Sequence, residues 1–175
     1  MLRKLELGSG EYPKPGYEHL DFRPGLPHLD YVHDLREPLP FAADTFDEIL
    51  ADNVLEHFPW INSLSILGDW VRVLKPGGLM RVVVPDLAHI IQGYIKGTGT
   101  SAISPHRTVD AENGLGEWSS KACSVIKIFG GQDHAGNFHY AAFDSDLITT
   151  LFSTAGLKDI ETLTGNGALK ASGRK

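Results

Sequence analysis

Three groups of residues in this 175-residue sequence have types and spacings that could do chemistry. One is the turn Gly8-Ser9-Gly10 that follows Leu5-Glu6-Leu7, where glycine lets the backbone pass close to a ligand at angles a side chain forbids. Another is Glu56-His57, a carboxylate beside an imidazole, both able to relay protons. The last is the polar, glycine-containing stretch 130–139, which carries His134 and His139 and has the composition of loops that commonly bear function. Gly-Ser-Gly alone is an ordinary structural turn. It gains meaning from Asp21 and Asp34, each placed where a short apolar run ends.

Those groups need a scaffold, and the hydrophobic pattern supplies one. Residues 4–7 read as a strand that feeds the glycine turn directly, as in an open α/β sheet. Residues 17–22 and 29–32 read as further short strands, ending at Asp21 and near Asp34, with proline-rich linkers between. Residues 46–51 and 79–84 form buried strands, the second rich in β-branched valine. Between them Ile61, Leu64, Leu67, Val71 and Leu74 recur at the spacing of one helix face, which Pro76-Gly77-Gly78 should end. A second helix is expected over 144–155, capped by Asp144 or Ser145 and closed by Gly156, followed by a strand over 157–163. Residues 97–121 hold few large apolar side chains and read as a mobile lid. In this arrangement an acidic residue at the end of the second strand can accept hydrogen bonds from both hydroxyls of a ribose. Glu56 and His57 then stand at the carboxyl edge, where such sheets bind ligands.

Size and composition narrow the function classes. The length suits one domain with a self-sufficient core, and 42% hydrophobic with 22% charged residues is ordinary for a globular chain. A net charge of -6 disfavours nucleic acid and anionic membrane surfaces as partners. Cys123, the only cysteine, excludes an internal disulfide and a multi-thiolate metal site. Residues 1–7 lack the apolar run of a signal peptide and no stretch reaches membrane-spanning length, so a cytoplasmic location is expected.

The ordered motifs Leu5-Glu6-Leu7-Gly8-Ser9-Gly10, Asp21, Asp34-Leu35 with Leu39-Pro40-Phe41, Phe46-Asp47-Glu48-Ile49-Leu50, Val54-Leu55-Glu56-His57 and Val73-Leu74-Lys75-Pro76-Gly77-Gly78 resemble the class I S-adenosylmethionine-dependent methyltransferases, in their small methyltransferase type 11-like branch. The resemblance covers residues 4–87 well and 130–143 weakly. It implies a Rossmann-like three-layer α/β sandwich with a mostly parallel sheet. It also implies that Glu6, Gly8, Ser9 and Gly10 surround the methionine part of S-adenosylmethionine, that Asp21 holds the ribose, that Asp34 and the Leu35 backbone face adenine, and that Asn53 lines the cofactor near the sulfonium. The sequence departs from the family after the turn, where Pro13 and Pro15 break the usual first crossover helix. That leaves one face of the sheet thinly covered, or covered by another copy in a homo-oligomer. Cover over the cofactor must come from residues 97–139, or there is none.

Methyl transfer from a sulfonium is an in-line displacement in which the protein chiefly aligns the partners. A hydroxyl acceptor must also lose a proton, which makes His57, Glu56, His134 and His139 the candidates for a general base. Asp133, His134 and His139 are ligand types that suit a divalent metal, but no second ligand pair stands at a diagnostic spacing, so no metal is expected. Trp60 and Trp70 read as packing, and Trp118 as a substrate contact in the lid. The resulting expectation is methyl transfer to an oxygen or nitrogen of a small molecule such as a sugar or other metabolite. The alternative is a non-catalytic S-adenosylmethionine-binding or interaction domain. A dinucleotide redox site is disfavoured because no third glycine opens a helix after Gly10.

Overall fold

The computed structural model describes residues 2–98, 120–132 and 136–175. Its elements in chain order are β1 (Lys4–Leu7), β2 (Glu18–Asp21), β3 (Tyr31–Val32), β4 (Phe46–Asp52), two single-turn 3-10 helices (Leu55–His57 and Trp60–Asn62), α1 (Ser63–Val73), β5 (Leu74–Pro85), α2 (Leu87–Lys96), α3 (Ser120–Phe129), α4 (Ser145–Thr154), β6 (Lys158–Gly165) and β7 (Ala168–Arg174). The strands form one seven-stranded sheet in the order β3-β2-β1-β4-β5-β7-β6. Strands β3 to β5 pair in parallel, and β7 runs antiparallel to both β5 and β6. This is the Rossmann-like, mostly parallel sheet that the motif order implies.

The order reverses beside β1, which puts the carboxyl ends of β1 and β4 next to each other, the place where open sheets of this kind bind ligands in a crevice. Alternation decides which side is packed. Leu5, Leu7, Leu20, Ile49, Ala51, Met80, Val82, Leu169 and Ala171 project to one face and are all buried. They form one core with Leu67, Trp70 and Val71 of α1 and Ile148, Leu151 and Phe152 of α4. Trp70 is thus core, as its spacing suggested, whereas Trp60 is half exposed and leans on Phe143.

The opposite face, left without the first crossover helix, is polar. Glu48 pairs there with Lys4 and Arg81 and accepts from the Tyr17 hydroxyl, and Lys14 reaches Asp52. Half-exposed charges in pairs can remain in water, so this face needs no apolar layer to be soluble. Residues 8–17 cross it as loop and turn rather than helix, as Pro13 and Pro15 require.

Several local readings change. The helix ends at Val73, and Leu74 is already extended and buried in β5. Between Phe46 and Glu48 of β4, the partner position on β5 advances from Leu74 to Leu79, so Lys75–Gly78 bulges from the strand instead of ending the helix. Gly77 supplies the left-handed angle, φ 76°, that this bulge needs. Ile61 and Leu64, assigned above to the packed helix face, are exposed. Helix α4 is capped by Asp144, whose carboxylate accepts from Leu147 N at 2.8 Å. Part of the expected lid, residues 99–119 with Trp118, lies outside the described residues. Among the described residues no helix is long and apolar enough to cross a membrane.

Candidate functional site

The glycine turn leaves the end of β1 with Gly8 and Gly10 in the left-handed region, at φ 62° and 59°. Space explains Gly8 as much as angle does. A Cβ there would stand 2.7 Å from Cγ2 of Val54, the second residue beyond β4. The turn and the segment after β4 are therefore locked together across the crevice. Asn53, also left-handed at φ 55°, sets the direction of that segment, with its amide donating to Asp52 Oδ1 and its backbone N–H to Val83 O.

Asp21 closes β2 beneath the turn and is buried. Its Oδ2 accepts from Gly10 N at 2.9 Å, and its Oδ1 accepts from Arg23 N at 2.9 Å and Arg23 Nε at 3.2 Å. Burial pushes this carboxyl up, but the Arg23 side chain and the two backbone donors outweigh it and hold it below the usual carboxylate range. The acid expected to take a ribose thus carries Arg23 in this structure. Arg23 is a residue the sequence reading missed, although Asp followed two positions later by Arg at a strand end is a visible cue.

Glu6 is buried, and its Oε2 accepts from Lys14 N at 2.8 Å and faces His19 Nδ1 at 3.0 Å. In this position it anchors the shortened crossover to the sheet, with its carboxylate committed to the loop that replaces the helix. Ser9 donates its backbone N–H to Leu20 O, and its hydroxyl lies 3.3 Å from His28 Nε2. Asp34 is partly exposed and bound to Arg36, which holds it in the ionised form. Leu35 is partly buried against the core.

Beyond Val54 the chain makes a 3-10 turn that carries Glu56 and His57, and the 136–143 segment returns over it. Tyr140 N donates to Glu56 O at 2.8 Å and His57 Nδ1 meets Phe138 O at 3.0 Å. This pairing brings His139 to His57, with ring centroids 4.9 Å apart and nearly perpendicular. Potential ligand atoms of Glu56, His57 and His139 lie within 4.8 Å of one another. Glu56 is fully buried and neither carboxylate oxygen has a hydrogen-bond partner. Burial pushes its carboxyl up to about 8, so the proton is retained at neutral pH. Burial, assisted by His57, pushes His139 down to about 4, so this imidazole is neutral.

Three of the four proton-relay candidates therefore converge, from positions far apart in sequence. The remaining one, His134, lies with Asp133 outside the described residues. A cleft of about 360 Å³ lies elsewhere, beside Asp86, His89, Asp144 and Thr164. Its acidity has a structural origin, because Asp86 and Asp144 are the N-caps of α2 and α4.

Residues 16–82 match the model of a methyltransferase domain, a span that begins after the glycine turn and runs into β5. No curated protein matches the chain in sequence. In fold, it is similar to a Bordetella parapertussis protein described as a possible exported protein (12% identity, TM-score 0.59, covering 99% of this chain and 63% of that one). It is also similar to a Thermotoga maritima S-adenosylmethionine-dependent methyltransferase (15%, 0.60, 99% and 82%). A third is the Burkholderia thailandensis 1,6-didemethyltoxoflavin-N1-methyltransferase, solved with its substrate and S-adenosylhomocysteine (14%, 0.59, 98% and 70%). The chain spans less than two thirds of the first of these. Over residues 16–82 the chain thus matches a methyltransferase domain, and its fold is similar to that of S-adenosylmethionine-dependent methyltransferases.

Proposed function

Proceeding from that domain, we propose that this protein transfers a methyl group to an oxygen or nitrogen of a small molecule, a hydroxylated metabolite such as a sugar being the preferred class. The observation that carries this reading is the convergence of Glu56, His57 and His139 immediately beyond Val54, the residue packed on Gly8. A proton-accepting group thus adjoins the turn where the cofactor would bind.

The residues suit S-adenosylmethionine. Two left-handed glycines expose backbone at the carboxyl end of β1, and a buried aspartate that stays ionised sits beside them. Gly8, Ser9 and Gly10 would hold the amino-acid part, Asp21 the ribose hydroxyls once Arg23 turns aside, Asp34 and Leu35 the adenine, and Asn53 the region of the sulfur. Glu6 would support the turn from beneath. S-adenosylmethionine supplies a methyl group already activated on sulfonium, so the chain's main task is alignment. An oxygen or nitrogen acceptor that receives the methyl group would give up its proton to the imidazole of His57 or of His139, which share one site with Glu56.

A second reading is cofactor binding without turnover. It draws on one observation, the saturation of Asp21 by Gly10 and Arg23. Calorimetry with S-adenosylhomocysteine followed by a labelled-methyl screen across sugars, phenols and amines separates the two. Binding with turnover supports transfer, binding without turnover supports the second reading, and no binding removes both.

A further inference from the structure

We infer that Glu56, His57 and His139 form a binding site for one divalent transition-metal ion of the borderline class that includes zinc and cobalt. Metal binding here does not depend on the methyl-transfer reading, and because a bound ion would take the same imidazole lone pairs, the proton transfer described above belongs to the metal-free chain. The first observation is chemical. Two imidazoles and one carboxylate, with potential ligand atoms within 4.8 Å of one another, are a recurrent donor set for such ions, and three protein ligands leave a coordination position open.

The second observation is the state of Glu56. It is the one carboxylate among the described residues that is buried with both oxygens unpartnered. Burial of a polar group without a partner costs about 1–3 kcal/mol, and among the described residues no side-chain donor reaches this carboxylate. An ion would offset that cost. A cavity of about 10 Å³, lined by Glu56, His139, Lys127, Ile90, Ile128 and Phe143 among others, adjoins the carboxylate and has the size of a single water or ion.

The third observation is orientation. His57 Nδ1 faces Phe138 O and His139 Nδ1 faces Lys127 O, each at 3.0 Å. A carbonyl can only accept, so each Nδ1 carries the proton and, in the neutral ring, the lone pair lies on Nε2. Metal-binding histidines are typically set by an outer hydrogen bond of this kind. Donors of a tetrahedral site with bonds of about 2.1 Å stand about 3.4 Å apart, so binding would draw the three side chains inward and tie the 3-10 turn after β4 to the 136–143 segment.

The test uses the full chain, stripped with a chelator and dialysed. It is titrated with zinc by calorimetry and with cobalt by visible absorption, with magnesium as a hard-ion control. The expected result is one zinc per chain, a cobalt spectrum with the intense visible bands of a four- or five-coordinate ion, and no magnesium binding. Glu56→Gln and His139→Asn should each weaken zinc binding at least about 100-fold, since loss of an outer partner alone costs 10–100-fold. Absence of stoichiometric binding in the wild type would overturn the inference whether or not a variant folds. So would wild-type affinity in both variants with native circular dichroism, which would place the metal on other histidines. Failure of methyl transfer would leave these readouts unchanged.

Discussion

Gly8→Ala would test how the glycine turn is held. The substitution has two separable costs. The left-handed angle of 62° penalises any L side chain by about 1–2 kcal/mol. The new Cβ would also stand 2.7 Å from Val54 Cγ2 in a packed environment, where overpacking costs about 1–3 kcal/mol. The single variant should therefore lose about 2–5 kcal/mol in urea unfolding. Val54→Ala removes two buried methyl groups and should lose on the order of 2 kcal/mol. In the double variant the contact disappears while the angle remains, so its loss should fall short of the sum by about 1–3 kcal/mol, the overpacking cost. S-adenosylhomocysteine affinity, measured by calorimetry, should fall in Gly8→Ala and recover in part in the double variant. Additivity within about 0.5 kcal/mol would refute the claim that the segment after β4 positions the turn, because independent sites behave that way.

Other outcomes follow from the same geometry. Asp21→Asn should weaken S-adenosylhomocysteine binding by about 1.5–3 kcal/mol, the worth of a charged hydrogen bond, whereas Arg23→Ala should leave it unchanged or tighter; equal weakening in calorimetry would make Arg23 part of the cofactor site. In metal-free protein, Glu56 binds its proton more tightly when folded, about 8 against an ordinary 4.5. The folded chain therefore holds more protons than the unfolded one between these values. This contribution to stability is complete below about 4.5 and is lost as pH rises through about 8, at about 1.4 kcal/mol per unit. His139 acts in the opposite sense, its contribution being present above 6.5 and lost as pH falls through about 4. Urea midpoints for the wild type should stay level from about pH 5 to 6.5, where the two slopes cancel, and fall from 6.5 to 8, whereas Glu56→Gln should rise to about 6.5 and then level off; parallel curves would show that Glu56 is not the titrating group. Asp144→Ala should lose about 1 kcal/mol in thermal unfolding by uncapping α4, with cofactor affinity unchanged.

The strands that meet the cofactor crevice were legible because their signals are local. A short apolar run, a glycine that must turn left and an aspartate at a strand end sit within a few residues of one another, and the missing helix is announced by Pro13 and Pro15 alone. β7 was not legible. Its residues Leu169, Ala171 and Gly173 look unremarkable until β5 pairs with them antiparallel and leaves so little room that a Cβ at position 173 would stand 3.2 Å from Phe152 and Leu157. Likewise the exposure of Ile61 and Leu64 depends on where α1 begins, which its periodicity could not fix.

For the site, the sequence by itself determined which residues have the chemistry: the glycine turn, Asp21, Glu56, His57 and His139. The tertiary structure decided their company. It set Arg23 on Asp21, turned Glu6 toward Lys14 and His19, pressed Val54 onto Gly8, and carried His139 across more than eighty residues to Glu56 and His57. The physical reason is that backbone angle and side-chain chemistry are properties of a residue and its neighbours, whereas burial, proton affinity and ligand geometry are set by elements that only folding brings together.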